Sequence, residues 1–124
     1  MADAQTMIDA VNAYVTAFAA RDADAAAALF AQEATVEDPV GSPIKQGYKA
    51  IRAFYAQSML TGANLILEGP VRIAGDVAAF PFSANLTLNG SKQRIDVIDT
   101  FRFDAAGKIV EMRAFWGPTN VHGF

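Results

Sequence analysis

The run Ile95-Asp96-Val97-Ile98-Asp99-Thr100-Phe101-Arg102-Phe103 alternates apolar and polar side chains, a two-residue period that fits a half-buried β-strand and no helix. Ile95, Val97, Phe101 and Phe103 share one face. Arg94, Asp96, Thr100 and Arg102 take the other, with Ile98 as its one apolar member. Successive strand side chains point to opposite sides, so Asp99 falls in register with the apolar set and is carried toward the core. Strands of this kind are predicted over residues 65–73, 77–88, 92–103 and 109–116. They are separated by Ala74-Gly75-Asp76, by Asn89-Gly90 and by Asp104-Ala105-Ala106-Gly107. Asn-Gly is a strong two-residue hairpin signal, so the second half of the chain is committed to an antiparallel meander.

The first half reads differently. Met7, Val11, Tyr14, Val15 and Phe18 recur at helical spacing and predict a helix over residues 4–20. The break Arg21-Asp22-Ala23-Asp24 supplies a capping Asp for a short Ala-rich helix ending near Phe30. Residues 34–38 read as a short strand closed by Pro39 and the turn-rich Gly41-Ser42-Pro43. A third helix follows Gly47, with Ile51, Phe54, Tyr55 and Ser58 along one side. Helices first and a meander afterwards give an α+β fold in which three N-terminal helices cover one side of a curved, mostly antiparallel sheet.

At 124 residues the chain supports one domain, residues 1–124, with a genuine core. Ten Lys and Arg against 13 Asp and Glu leave a net charge of −3, which argues against a nucleic-acid partner, whose phosphates need a basic face. Apolar residues make up 52%, and with the glycines counted they exceed the ~45–50% usual in soluble domains. A deep apolar pocket or a subunit interface is the expected outlet. With no cysteine, disulfides, iron–sulfur clusters and thiolate catalysis are excluded. Met1-Ala2-Asp3-Ala4-Gln5 lacks the basic region and apolar run of a signal peptide, and no apolar stretch approaches the length of a membrane span. The expectation is a cytoplasmic protein with no membrane partner.

Three polar residues occupy apolar settings. A buried carboxylate is disfavoured against its neutral acid, and a neutral Asp99 donates a hydrogen bond to developing negative charge on a substrate oxygen; its alternative is a structural acid bonded to a backbone amide or to Arg113. Tyr14 lies on the apolar stripe of the first helix and is either a core tyrosine bonded to a carbonyl or a second donor beside Asp99. Asp38, in Thr35-Val36-Glu37-Asp38-Pro39, is either an exposed turn residue or a general base held ionised at the rim of a pocket, with Glu37 pointing away from it. His122, the one histidine, reads as exposed. A single histidine with scattered carboxylates supplies no metal site, and there is no phosphate loop or dinucleotide fingerprint. Met112 and Trp116 share a strand face that suits either the core or a flat apolar ligand.

The order of these pieces resembles the bacterial Δ5-3-ketosteroid isomerases over nearly the whole chain. The matching segments are Ala13-Tyr14-Val15, Ala28-Leu29-Phe30-Ala31, Ala34-Thr35-Val36-Glu37-Asp38-Pro39-Val40-Gly41-Ser42, Ala50-Ile51-Arg52-Ala53-Phe54-Tyr55, Ile98-Asp99-Thr100-Phe101-Arg102-Phe103 and Gly107-Lys108-Ile109-Val110-Glu111-Met112-Arg113-Ala114. The resemblance implies a conical fold of the nuclear transport factor 2-like kind, a homodimer, and no cofactor. It implies that Asp38 removes a proton next to a steroid ketone and returns it two carbons further along. Tyr14 and neutral Asp99 would hold the ketone oxygen as a dienolate forms, an oxyanion hole for which this family is itself the standard illustration. Tyr55 would support Tyr14 through a hydroxyl network, and Phe82, Met112 and Trp116 would line the steroid cavity. Some relatives carry a further Tyr at the position of Phe30, so the network here is expected to be shorter. Two other readings stand beside a steroid isomerase. One is another proton-transfer enzyme on the same scaffold, such as a polyketide cyclase or a dehydratase; the other is a non-catalytic module binding sterols or another apolar ligand.

Overall fold

The first helix starts where a capping carboxylate is available. Asp3 accepts from the Thr6 backbone N–H at 2.8 Å, and α1 runs Ala4–Ala20 until Arg21 turns left-handed at φ 52°. It buries Met7, Val11, Tyr14, Ala17 and Phe18 along one stripe. In this computed structural model, which describes residues 1–123, α2 (Ala23–Ala27) is capped by Asp22 in the same way. It stops earlier than its alanines suggest, because Phe30 already pairs with Ile109 in a strand. That strand, β1, spans Phe30–Glu37 rather than beginning at Ala34: tertiary pairing outweighs the helix preference of the alanine run. A two-residue β2 (Lys45–Gln46) returns along β1, and Gly47 opens α3 (Tyr48–Met59).

The meander follows as β3 (Asn64–Leu67), β4 (Arg72–Ala74), β5 (Val77–Leu88), β6 (Ser91–Phe103) and β7 (Ile109–Phe115). The expected single strand over residues 65–73 is divided in two, since Gly69-Pro70 interrupts it and Pro70 has no N–H for the ladder. A 3₁₀ turn (Pro118–Asn120) leads to β8 (Val121–Gly123), which pairs with β6. The sheet order is β2-β1-β7-β6-β5-β3, with β4 beside β5 and β8 beside β6. Every pairing is antiparallel except β1 with β7. The result is an open, mixed, mostly antiparallel sheet covered on one side by three helices, an α+β cone of the nuclear transport factor 2-like kind.

The β5–β6 hairpin is the spine of the sheet. Its strands pair from Val77 with Arg102 to Leu88 with Ser91. Asn89 at φ 50° and Gly90 at φ 79° make the turn, the pair of positive angles that a type I′ hairpin requires. On the inner face, the rings of Tyr14, Phe18, Phe30, Tyr55, Phe80 and Phe101 form a cluster with centroids 5.0–6.3 Å apart, mostly edge to face. Each such pair adds about 0.5–1.5 kcal/mol beyond the area it buries. This aromatic floor fixes the depth at which the polar residues of the site lie.

Candidate active site

A cavity of about 260 Å³ opens between α1, α3 and the inner face of β3, β5 and β6. Its wall includes Tyr14, Phe18, Asp38, Phe54, Phe82, Val97 and Trp116. Phe82 and Val97 are registered partners and so point to the same side of the sheet. One pair further inward on the same face, Asp99 stands between Phe80 on β5 and Ala114 on β7.

Asp99 is 1% exposed, and neither carboxyl oxygen has a hydrogen-bond partner. Arg113, its alternative partner, is taken by Glu37, whose Oε1 accepts from Nε at 3.0 Å. Burial first, and the negative charge of Asp38 second, push the Asp99 carboxyl well above its ordinary value. A buried acid without a partner favours its neutral form; Asp99 is not itself on the cavity wall but lies one pair inward of the wall residues Phe82 and Val97.

Tyr14 is 2% exposed, and Tyr55 is fully buried. Their hydroxyls lie 3.1 Å apart in a hydrogen bond in which either can donate. Burial raises both phenols well above 10, and the negative charge of Asp38 adds to this. Tyr14 therefore stays a neutral donor. Tyr55 stands behind it rather than on the wall. The Phe30 ring packs 5.7 Å from that of Tyr55 and brings no hydroxyl.

Asp38 follows β1 at a turn where the Asp38–Pro39 peptide is cis and the Val40 N–H donates to the Ala114 carbonyl at 2.8 Å. That bond brings the turn against the end of β7, so that the indole N–H of Trp116 donates to Asp38 Oδ1 at 2.8 Å. Glu37 points away, accepting from Arg113 and from the Gly41 N–H. Asp38 is half-buried and lines the cavity. Burial raises its pKa, while the Trp116 N–H and the positive charge of Lys45 pull the other way.

Phe82 and Trp116, expected on the cavity wall, line it. Met112 does not: it is fully buried, the registered partner of Phe101 on one side and Val36 on the other, in the core beneath the cavity. Its facing was readable from the alternation; its depth was not. His122 is half-buried rather than exposed, because β8 pairs with β6 and brings Nε2 within 3.0 Å of Asp96 Oδ2 on the outer face. Lys45 was not anticipated. It stands 5.6 Å over the ring of Phe54, a wall residue, and only the pairing of β1 with β2 brings it there. Among the described residues no group of three His, Cys, Asp or Glu side chains is placed to hold a metal ion, and no helix is long and apolar enough to cross a membrane.

Comparison with known proteins bears on the chemistry of this cavity. A family model described as the SnoaL-like domain matches residues 11–112. A steroid delta-isomerase of Nocardioides simplex is 41% identical over 113 residues, covering 90% of this chain and 90% of that protein. The solved structure of SalBIII, an epoxide hydrolase/cyclase-like enzyme with a role in pyran ring formation in polyether salinomycin, matches with a TM-score of 0.93 at 28% identity, over 100% of both chains.

Proposed function

The chain belongs to the SnoaL-like domain family, on the nuclear transport factor 2-like fold, and from that premise we propose that it isomerises Δ5-3-ketosteroids to Δ4-3-ketosteroids. The observation that carries this reading is the unpartnered, buried Asp99, one strand pair inward of Phe82 and Val97, which line a cavity whose wall also holds Tyr14 and Asp38. The similarity to a steroid delta-isomerase supports it.

The reaction moves one proton and one double bond. Asp38, as carboxylate, takes the proton from the carbon between the ketone and the 5,6 double bond. The electron pair left behind spreads over a dienolate, placing negative charge on the ketone oxygen. Tyr14 and neutral Asp99 donate hydrogen bonds to that oxygen, with Tyr55 donating to Tyr14 and so freeing the Tyr14 proton for the substrate. Asp38 then returns the proton two carbons further along, and the double bond moves into conjugation. Donors aimed at developing charge in a water-poor site contribute a few kcal/mol each. A base whose pKa is raised by burial binds the abstracted proton more firmly than an ordinary carboxylate does. No cofactor enters this scheme. The reading includes a cytoplasmic homodimer, for which Ile98 and Phe115, registered partners 50% and 42% exposed on the outer face of the sheet, offer an apolar surface.

A second reading has its own support in the likeness to SalBIII. A neutral acid that protonates an epoxide oxygen and a carboxylate that deprotonates an attacking hydroxyl also make a ring-forming catalyst. The test is isomerase activity on 5-androstene-3,17-dione, followed by the ultraviolet absorbance of the conjugated enone. The expected result is rapid enone formation that falls 10²–10⁴-fold in Asp38→Asn, the usual contribution of a general base. No enone from well-folded protein would remove the isomerase and leave the cyclase-like reading.

A further inference from the structure

Away from Tyr14, Asp38 and Trp116, the cavity wall is apolar except for two hydroxyls, those of Ser58 and Thr61. They lie at its other end. Along β6 the inner face runs Asp99, Val97, Ile95, and the registered residues of β5 run Phe80, Phe82, Ala84, with Leu86 one pair further out. The Thr61 carbonyl accepts from the Thr87 N–H at 3.4 Å, which seats Thr61 beside Leu86. From Asp99 to Ile95 is about 14 Å of straight strand, and the level of Leu86 about 7 Å more, at ~3.4 Å per residue; curvature shortens both. A molecule of four fused rings held by its ketone at Asp99 therefore directs its far ring toward Ser58 and Thr61.

The state of those hydroxyls decides what they recognise. Ser58 Oγ donates to the Phe54 carbonyl at 2.9 Å, and Thr61 Oγ1 donates to the Ser58 carbonyl at 2.8 Å. A carbonyl only accepts, so each hydroxyl proton is committed to the end of α3 and each oxygen is left with lone pairs alone. In an apolar pocket a few placed polar groups set orientation and choice. Resting on the proposed isomerase reading, we infer that Ser58 and Thr61 form a hydrogen-bond-acceptor subsite selecting steroids that carry a hydroxyl, not a ketone, on the ring farthest from the reacting carbonyl. A ketone there meets acceptor with acceptor, and gains a bond only if a hydroxyl abandons its backbone carbonyl.

The test compares 17β-hydroxy-5-androsten-3-one with 5-androstene-3,17-dione. One net hydrogen bond corresponds to about a fivefold higher kcat/KM for the hydroxy substrate. The difference should reside in KM, because the group is remote from the reacting atoms and binds ground and transition states alike. Thr61→Val is expected to bring the ratio toward one, and Thr61→Ser to retain it. Equal kcat/KM values in the parent, or a ratio unaltered in Thr61→Val, would overturn the subsite while leaving the isomerase. Dissociation constants of the 17-hydroxy and 17-keto Δ4-3-ketone products, measured by calorimetry, need no turnover. Tighter hydroxyl binding without isomerisation would uphold the subsite and remove the isomerase; equal affinities would overturn the subsite whatever the turnover.

Discussion

Replacing Asp99 by Asn tests whether the native acid is neutral, through stability rather than rate. Asp99 is 1% exposed with both oxygens unpartnered, and burial with the charge of Asp38 holds its pKa well above the ordinary value. In the unfolded chain the same carboxyl titrates near ~3.9. Above that pH the unfolded state has released the proton and the folded state keeps it. The folded form then binds more protons, and stability falls as pH rises, by about 1.4 kcal/mol per pH unit until the native group ionises. Below the unfolded pKa the penalty is absent. Asn has nearly the same shape and does not titrate, so its fixed cost or gain is constant while the parent's penalty grows. The advantage of Asp99→Asn over the parent should therefore widen as pH rises above 5, by at most about 1.4 kcal/mol per pH unit and only until native Asp99 ionises. Urea unfolding of both proteins at pH 5, 6, 7 and 8 measures this, and the pH at which the widening stops marks where native Asp99 ionises. A stability difference that stays flat from pH 5 to pH 7 would refute the reasoning, because the native carboxyl would then be ionised like the unfolded one. The amide remains a donor but a weaker one, so kcat should fall by about one to two powers of ten while the stability difference shifts in the variant's favour as pH rises.

Two further outcomes follow from the hydrogen bonds around the base and the donor. Trp116→Phe removes the N–H that favours the charged form of Asp38. The pKa of Asp38 then rises, and the acid limb of the kcat/KM profile should move to higher pH, with activity lost most at low pH; a limb that stays or moves down contradicts the assignment. Tyr55→Phe leaves the buried Tyr14 hydroxyl without its partner, at a cost of about 1–3 kcal/mol in stability. Thermal melts should register that cost, and steady-state rates should show a fall of up to about tenfold in kcat with little change in KM.

What was legible in the sequence is what local chemistry controls. The alternation around Asp99 has a period of two and therefore assigns a face, and the face it assigned is the inner one. An apolar stripe places α1, a capping Asp opens α2, and Asn89-Gly90 forms the hairpin because both positions accept positive φ. What depends on distant partners was not legible. β2 and β8 are two and three residues long and exist only because β1 and β6 offer edges to them. The alanines of α2 favour more helix than the pairing of Phe30 with Ile109 allows. Alternation gives the side of a sheet but not the distance from its rim. Met112 and Trp116 share a strand face, yet one lies in the core and the other on the cavity wall.

The same limit explains why the sequence could assign the two carboxylates different roles, one beside a turn and one on an apolar strand face, but not the partners that set them apart. Burial raises both pKa values, so depth alone would leave two neutral acids and no base. The separation comes from partners that neither segment encodes. Asp38 has an indole N–H from the end of β7 and a positive charge from β2, both favouring its ionised form. Asp99 has no partner, and its strongest electrostatic neighbour is Asp38 itself. The pair is thus self-consistent: an ionised Asp38 makes Asp99 harder to ionise, and a neutral Asp99 places no charge against Asp38. Opposite protonation states at one pH are what the proposed base and oxyanion donor require of each other, and one asymmetry favours them: a hydrogen bond and a lysine beside Asp38, and an aromatic floor beside Asp99.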